Sequence, residues 1–372
     1  MNRELSLRVL AQVMGWDDDR ASDEYAWLKF MGGIKYDSYR DFQAGMRFTE
    51  SLATWLQQFP SDEREVAYAF VRTRLVFVGV SETQHLVEQF YPRVVHERIV
   101  RTVAARHSLP DYEAIASPDY RLEMDHLRRK TLFLGLSDGA RIDVLRHSNV
   151  GRLNNEQIVP TAQLDPEKWL GLLEDLQKGL KDDDAKFEAV YLIDDFTATG
   201  TSFLRPGRKD EPWKGKLKKF SDSIGPVRDR LFSEDLTLCI HHYIASFDAT
   251  KKIVASIDAS SSFFEKMGWG VPQLSFGTVL PEALPLSSAG GDAAFIAMTD
   301  AYYDPTIETE HTRVGGVDRI NLGYGGCALP VILEHNTPNN SVALLWAETD
   351  GDDGAHAMRP LFRRRQRHVG AR

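Results

Sequence analysis

Ala189-Val190-Tyr191-Leu192-Ile193-Asp194-Asp195-Phe196-Thr197-Ala198-Thr199-Gly200-Thr201-Ser202 is the stretch on which the fold turns. An apolar run meets two adjacent carboxylates, and a small hydroxyl-rich loop follows. A buried strand of a parallel sheet delivers whatever follows it to the carboxyl edge, where open α/β sheets bind ligands. There Asp194 and Asp195 can accept hydrogen bonds from the vicinal hydroxyls of a sugar. Ala198, Thr199, Gly200, Thr201 and Ser202 can wrap a phosphate with backbone N–H groups and hydroxyls, Gly200 permitting close approach. A ribose and its phosphate would be held from one turn. The competing reading is a solvated turn whose Thr-Gly pair starts a helix.

Working outward, Thr131 to Leu134 reads as a short strand. The loop Gly135-Leu136-Ser137-Asp138-Gly139-Ala140-Arg141 and a helix from Ile142 to Arg146 follow it. Strand, glycine-bearing loop and helix form a second phosphate cradle or an ordinary strand-to-helix turn. In the cradle, Ser137 offers a hydroxyl, Gly139 close approach and Arg141 a charged donor. Asn149 to Asp165 is polar, and Pro166 to Leu180 reads as a helix. Beyond the central stretch the expected elements are a helix from Trp213 to Leu231, a strand from Leu236 to Ala245 and a helix from Thr250 to Ile257. A strand from Gln273 to Leu280 and a helix from Asp292 to Tyr302 complete the series. Strands alternating with helices imply a parallel sheet. His241 and His242 lie within one strand and face opposite sides, which fits core or surface positions better than metal binding.

Upstream, apolar residues from Ala26 to Arg106 recur at helical spacing, as in Phe48, Leu52, Trp55, Leu56 and Phe59, then Val66, Phe70, Val71, Leu75 and Val78. Pro60 breaks this pattern, with Ser61 as the expected N-cap of the next helix. The aromatic stripe Trp27, Phe30, Tyr36, Tyr39 and Phe42 is spaced for a core. The expected organisation is a helical region over 1–128, an α/β domain over 129–349 and a basic flexible tail over 350–372.

The 372 residues are 42% apolar, ample for a core, and carry a net charge of -9, which argues against wholesale coating of nucleic acid. The C-terminal arginines Arg359, Arg363, Arg364, Arg365, Arg367 and Arg372, with His368, are the exception. They either touch phosphate, nucleic acid included, or form a solvated end. Two distant cysteines provide neither a disulfide framework nor a zinc site. A reducing cytoplasm is the expected location, with no membrane partner, since no leader or bilayer-length apolar run is evident.

The central stretch resembles the PRPP-binding motif of type I phosphoribosyltransferases: apolar strand, two acids, three residues, Thr-Gly, any residue, then Thr or Ser. Asp194-Asp195, Thr199-Gly200 and Ser202 match it in order and spacing. The resemblance implies an α/β fold with a parallel sheet of that enzyme type, flanked by helices, plus an added N-terminal helical region. It further implies PRPP or a related ribose phosphate as ligand and Mg²⁺ as cofactor, held through the ligand near Asp194 and Asp195 rather than by a dedicated metal site. The reaction would displace pyrophosphate at ribose C1, with Asp194 and Asp195 catalytic and Ala198 to Ser202 on the 5′-phosphate. By the same resemblance Ser137, Asp138, Gly139 and Arg141 would hold pyrophosphate, and the polar stretch with Arg152 would be a mobile loop that closes over the site, the alternative being an inert surface loop.

With the helical N-terminal region and the run Glu334-His335-Asn336-Thr337-Pro338-Asn339-Asn340, residues 25 to 349 resemble the PRTase-CE family of prokaryotic conflict systems. That implies an effector or accessory of antiphage defence with protein partners. His335, Asn336 and Asn339 would read an acceptor base or form a hairpin connection. Two features depart from the metabolic enzymes. Phe203 to Pro212 interrupts the helix expected after the phosphate loop, and no hood for an acceptor is recognisable. A ligand-responsive regulator without turnover and an interaction module are the alternative functions.

Overall fold

The computed structural model describes residues 3–208, 211–351, 354 and 356–364. Its largest sheet has five parallel strands: β1 (Thr131–Gly135), β2 (Ile158–Val159), β3 (Phe187–Thr197), β4 (Phe232–Ser246) and β5 (Gln273–Leu280), in the spatial order β2-β1-β3-β4-β5. All neighbours pair in parallel, Asp194 lying in register with His242. The α/β fold read from the sequence is therefore present; the inner strands β1, β3 and β4 are largely buried on both faces, as in a covered parallel sheet, whereas the edge strand β5 is mostly exposed or half-buried.

Alternation assigns the two faces. On one, Leu132, Leu134, Val190, Leu192, Leu238 and Ile240 share a core with α3 (Pro166–Leu180), α4 (Lys216–Ile224) and α5 (Phe247–Ala259), to which Trp169, Leu217 and Ile253 contribute. On the other, Phe90 rests against Phe133, Tyr191 and His241, the His241 ring centroid 4.3 Å away. α1 (Glu97–His107) follows Phe90 and continues this cover, Arg98 donating to the Tyr191 hydroxyl at 3.2 Å. α2 (Ile142–Ser148) connects β1 to β2.

The chain divides into two compact units, 83–281 and the pair of segments 1–82 and 282–372. This differs from boundaries at 128 and 349, and the reason is long-range pairing. Val76–Val78, read as helical, is a strand that pairs in parallel with Val331–Leu333, so the two ends of the chain share one core, with Trp55, Phe48, Ile332 and Leu344 all inside it. The helical segments between residues 83 and 128 belong instead with the sheet.

Smaller expectations are also corrected. Pro60, with no side-chain cap bond, occupies the N-cap position and Ser61 begins the helix Ser61–Thr73. Phe30 is exposed, whereas Tyr36 and Tyr39 are core residues. Trp213 lies within a hairpin strand (Glu211–Lys214) rather than opening a helix. Of the expected tail, Arg365, Arg367, His368 and Arg372 lie outside the described residues. The described part is not a loose end: Met358, Leu361 and Phe362 are buried between the arginines. Arg359 donates to the Thr349 carbonyl at 2.8 Å, Arg363 pairs with Glu348 at 2.8 Å, and Arg364 lies 5.4 Å over the Trp346 ring.

Candidate functional site

In the order β2-β1-β3-β4-β5 the chain leaves β1 toward one edge and β3 toward the other, making the β1–β3 boundary the topological switch point of the sheet. In open α/β folds the crevice beyond the strand ends at such a point is where ligands bind. The loop after β1 (136–141) and the end of β3 with its loop (194–202) meet at this boundary. Leu136 N–H donates to the Ile193 carbonyl at 2.8 Å, and Ser137 Oγ donates to Asp194 Oδ1 at 2.5 Å.

Both acids lie inside β3, two and three residues before its end, so the pleat sends them to opposite faces. Asp194 is 2% exposed and ion-paired through Oδ2 with Lys216 Nζ. Burial pushes its carboxyl above the ordinary range, and Lys216 opposes the shift. His242, its register partner on β4, is also wholly buried; burial, reinforced by Lys216, holds that imidazole down at about 3. Asp195 is partly exposed and points toward the β1 loop. A Cβ on Gly139 would collide with its carboxylate, so only glycine lets the loop approach the acid this closely. Across from it on β4, the Tyr243 hydroxyl is buried without a hydrogen-bond partner among the described residues, and burial together with the Asp195 charge raises its pKa.

The loop after β3 is shaped by its own hydroxyls. Thr197 Oγ1 accepts from Gly200 N–H at 3.2 Å, Thr199 and Thr201 hydroxyls are 2.8 Å apart, and the Ala198 carbonyl accepts from Ser246 Oγ at 2.8 Å. Gly200 adopts φ 71°, and a Cβ there would come within 2.8 Å of Ile253, so conformation and packing both require glycine. Arg141, with φ 51°, caps α2 from a left-handed conformation and is buried, while Asp138 is exposed.

The interruption after Ser202 proves to be an excursion. Arg205–Arg208 and Glu211–Lys214 form an antiparallel hairpin, after which Lys216 N–H donates to the Ser202 carbonyl and Leu217 N–H to that of Phe203, each at 3.1 Å. Gly215, at φ 126°, makes this closure possible, since a Cβ would strike the Phe203 carbonyl. α4 is therefore spliced through space onto the phosphate-sized loop, and its first residue, Lys216, reaches Asp194. Sequence reasoning missed Lys216; the available signal was a basic residue at the first helical start after the loop.

Several expected site residues are elsewhere. Arg152 precedes β2 and lies beside Arg128, Arg129 and Gly179, all before strand starts, which puts it at the amino edge. The stretch 149–165 is no free lid: it contains β2, and Ala162 N–H donates to the Gly135 carbonyl at 3.0 Å. His335, Asn336 and Asn339 belong to the unit formed by the chain ends and fasten it. Leu333 and Asn336 exchange backbone hydrogen bonds at 3.2 and 3.1 Å, the Asn339 carbonyl accepts from Tyr324 N–H at 2.7 Å, and Glu334 pairs with Arg40 at 2.9 Å.

Among the described residues no three His, Cys, Asp or Glu side chains cluster as a metal centre. The accessible hard oxygen donors at the crevice are Asp195 and, on the 136–141 loop, Asp138, while both oxygens of Asp194 are engaged by Ser137 and Lys216. Among the described residues no helix is long and apolar enough to cross a membrane.

Against known proteins, a family model, PRTase-CE, matches residues 52–364. The chain belongs to that family and is phosphoribosyltransferase-like. No curated protein and no solved structure gives a significant match.

Proposed function

We propose that this PRTase-CE protein binds PRPP at the β1–β3 switch point and displaces pyrophosphate at ribose C1 onto an acceptor. The observation that carries this reading is the convergence of two phosphate-sized loops on one acid pair, with Gly139 stripped of a side chain where Asp195 approaches. Thr199, Gly200, Thr201 and Ser202 take the 5′-phosphate, exchanging their mutual hydroxyl contacts for phosphate oxygens. The 136–141 loop takes pyrophosphate. Asp195 accepts from the ribose hydroxyls, and Asp194, fixed by Ser137 and Lys216, sets the end of β3 in place. Such fixed positioning of C1 is worth several kcal/mol of barrier. Mg²⁺ favours oxygen ligands, and of the two acids the partly exposed Asp195 is the one placed to meet it; when bound it would neutralise charge developing on pyrophosphate.

Equilibrium binding of PRPP with and without Mg²⁺ tests the site. Asp195→Asn should weaken both together, and binding indifferent to Asp194→Asn and Asp195→Asn alike sinks the assignment. Pyrophosphate release then tests turnover. A second reading, ligand sensing without turnover, draws on the engagement of Asp194 by Lys216 and Ser137, which leaves one acid facing the ligand; tight PRPP binding with no pyrophosphate release under any acceptor selects it. The role in antiphage defence rests on the family resemblance. It predicts that plaque protection by the intact system is lost in Asp195→Asn, and retained protection would reassign the chain as an interaction module.

A further inference from the structure

We infer that the amino edge of the sheet carries a second anion site, a cleft that takes the phosphate group of a small ligand. The cleft has a volume of about 270 Å³ and gathers His126, Arg128, Arg129 and Arg152 around one acid, Asp125. In a chain of net charge -9 this local excess of cations is a departure that needs a reason. Their partners differ. Arg129 is committed to Glu156 at 2.7 Å and to the Asp175 carbonyl at 2.9 Å, and Arg128 pairs with Asp125 at 2.8 Å. The Arg152 side chain is exposed and makes no hydrogen bond or ion pair among the described residues. Its charge is available, and it adjoins Arg128: burial raises the pKa of the Tyr91 hydroxyl, and Arg128 and Arg152 both act against that rise.

The acceptors that would repel an anion here are already satisfied. Gln157 Nε2 donates to the carbonyls of Arg128, Arg129 and Thr131 at 2.7, 3.1 and 2.8 Å, covering the end of the helix Arg121–Arg129. Lys181, in a left-handed conformation, closes the end of α3 with its N–H. Apart from Asp125, which Arg128 engages, the charged groups facing the cleft are then donors, and planar guanidiniums suit phosphate oxygens with paired charge-assisted bonds. A bounded cleft on an acidic chain favours a small phosphorylated molecule over a long polyanion, which needs an extended cationic track. The site is separate from the crevice at the switch point: the five residues of β1 alone span about 16 Å. It stands whether or not that crevice binds PRPP.

The test is anomalous diffraction from crystals of the full chain soaked in tungstate, a phosphate stand-in. Density in the cleft within hydrogen-bond reach of Arg128 and Arg152 is expected, lost in Arg152→Gln and restored in Arg152→Lys at about tenfold higher tungstate. Arg152→Gln should fold, since the side chain supports nothing. Arg128→Gln gives an independent second loss. An empty wild-type cleft, or density indifferent to Arg152→Gln, overturns the proposal. So does a fall in PRPP binding in Arg152→Gln, which would return this residue to the carboxyl edge. Arg152-dependent capture of a single-stranded oligonucleotide more tightly than phosphate would overturn the small-ligand assignment in favour of nucleic acid.

Discussion

Asp194 and Asp195 are adjacent in the chain, yet the two faces of β3 give them different surroundings. On the Asp194 side the acid is enclosed, with Lys216, Ser137 and His242 at hand and the largest core of the sheet unit beneath it. On the Asp195 side the carboxylate is partly exposed and meets a glycine instead of a side chain. A pleat separates a carboxylate that organises the protein from one that can meet a ligand, and a motif of two acids needs no further device to divide the labour.

The comparison can be broken most forcefully on the enclosed side. Lys216→Met strands Asp194 without its cation, and urea unfolding should show a loss of about 3–5 kcal/mol, most of it recovered in Lys216→Met with Asp194→Asn. A loss under about 1 kcal/mol would mean the ion pair does not hold that face. Next comes acid. His241 and His242, one on each face, are both held down at about 3 by burial, against an ordinary 6.5. The unfolded chain takes up these protons near pH 6.5 and the folded chain only near pH 3, so their contribution is full above pH 6.5 and is lost as pH falls toward 3. Between pH 6.5 and 5.5 the two should cost about 2 kcal/mol by denaturant titration, and His241→Phe should remove half of that slope.

Effects on the Asp195 side should be smaller for stability and larger for ligand. Gly139→Ala forces the loop and carboxylate apart, for about 1–2 kcal/mol in a thermal melt and a clear loss of PRPP affinity. Asp195→Asn should change stability by no more than about 0.5 kcal/mol while weakening PRPP at least about tenfold by calorimetry. Were Asp195→Asn to destabilise the fold as much as Lys216→Met, the two faces would not differ in kind.

Local features were legible. The strand and loop around Asp194 could be read because apolar run, acids and glycine follow one another directly, and Gln273–Leu280 and Pro166–Leu180 matched their expected bounds. What escaped was set by distance along the chain. The hairpin 205–214 carries Lys216 away from Ser202 in sequence and returns it in space, which no window across the loop can display. Arg152 looked like a lid residue because polarity does not say at which edge of a sheet a connection turns. Val76–Val78 scanned as helix because a short strand is declared only by its partner, Val331–Leu333.

That last pairing also sets an order of events during synthesis. Residues 83–281 form one unbroken stretch between the two halves of the other unit. When Val76–Val78 leaves the ribosome, its partner strand is still untranslated, as are Leu344, Leu361 and Phe362 of the same core. The sheet unit can complete itself in one pass, N-terminal to C-terminal. The leading segment has to wait with apolar surface and a strand edge open, the state in which nascent chains aggregate or recruit chaperones. Truncation within the last twenty residues described would therefore harm the beginning of the protein, not its middle.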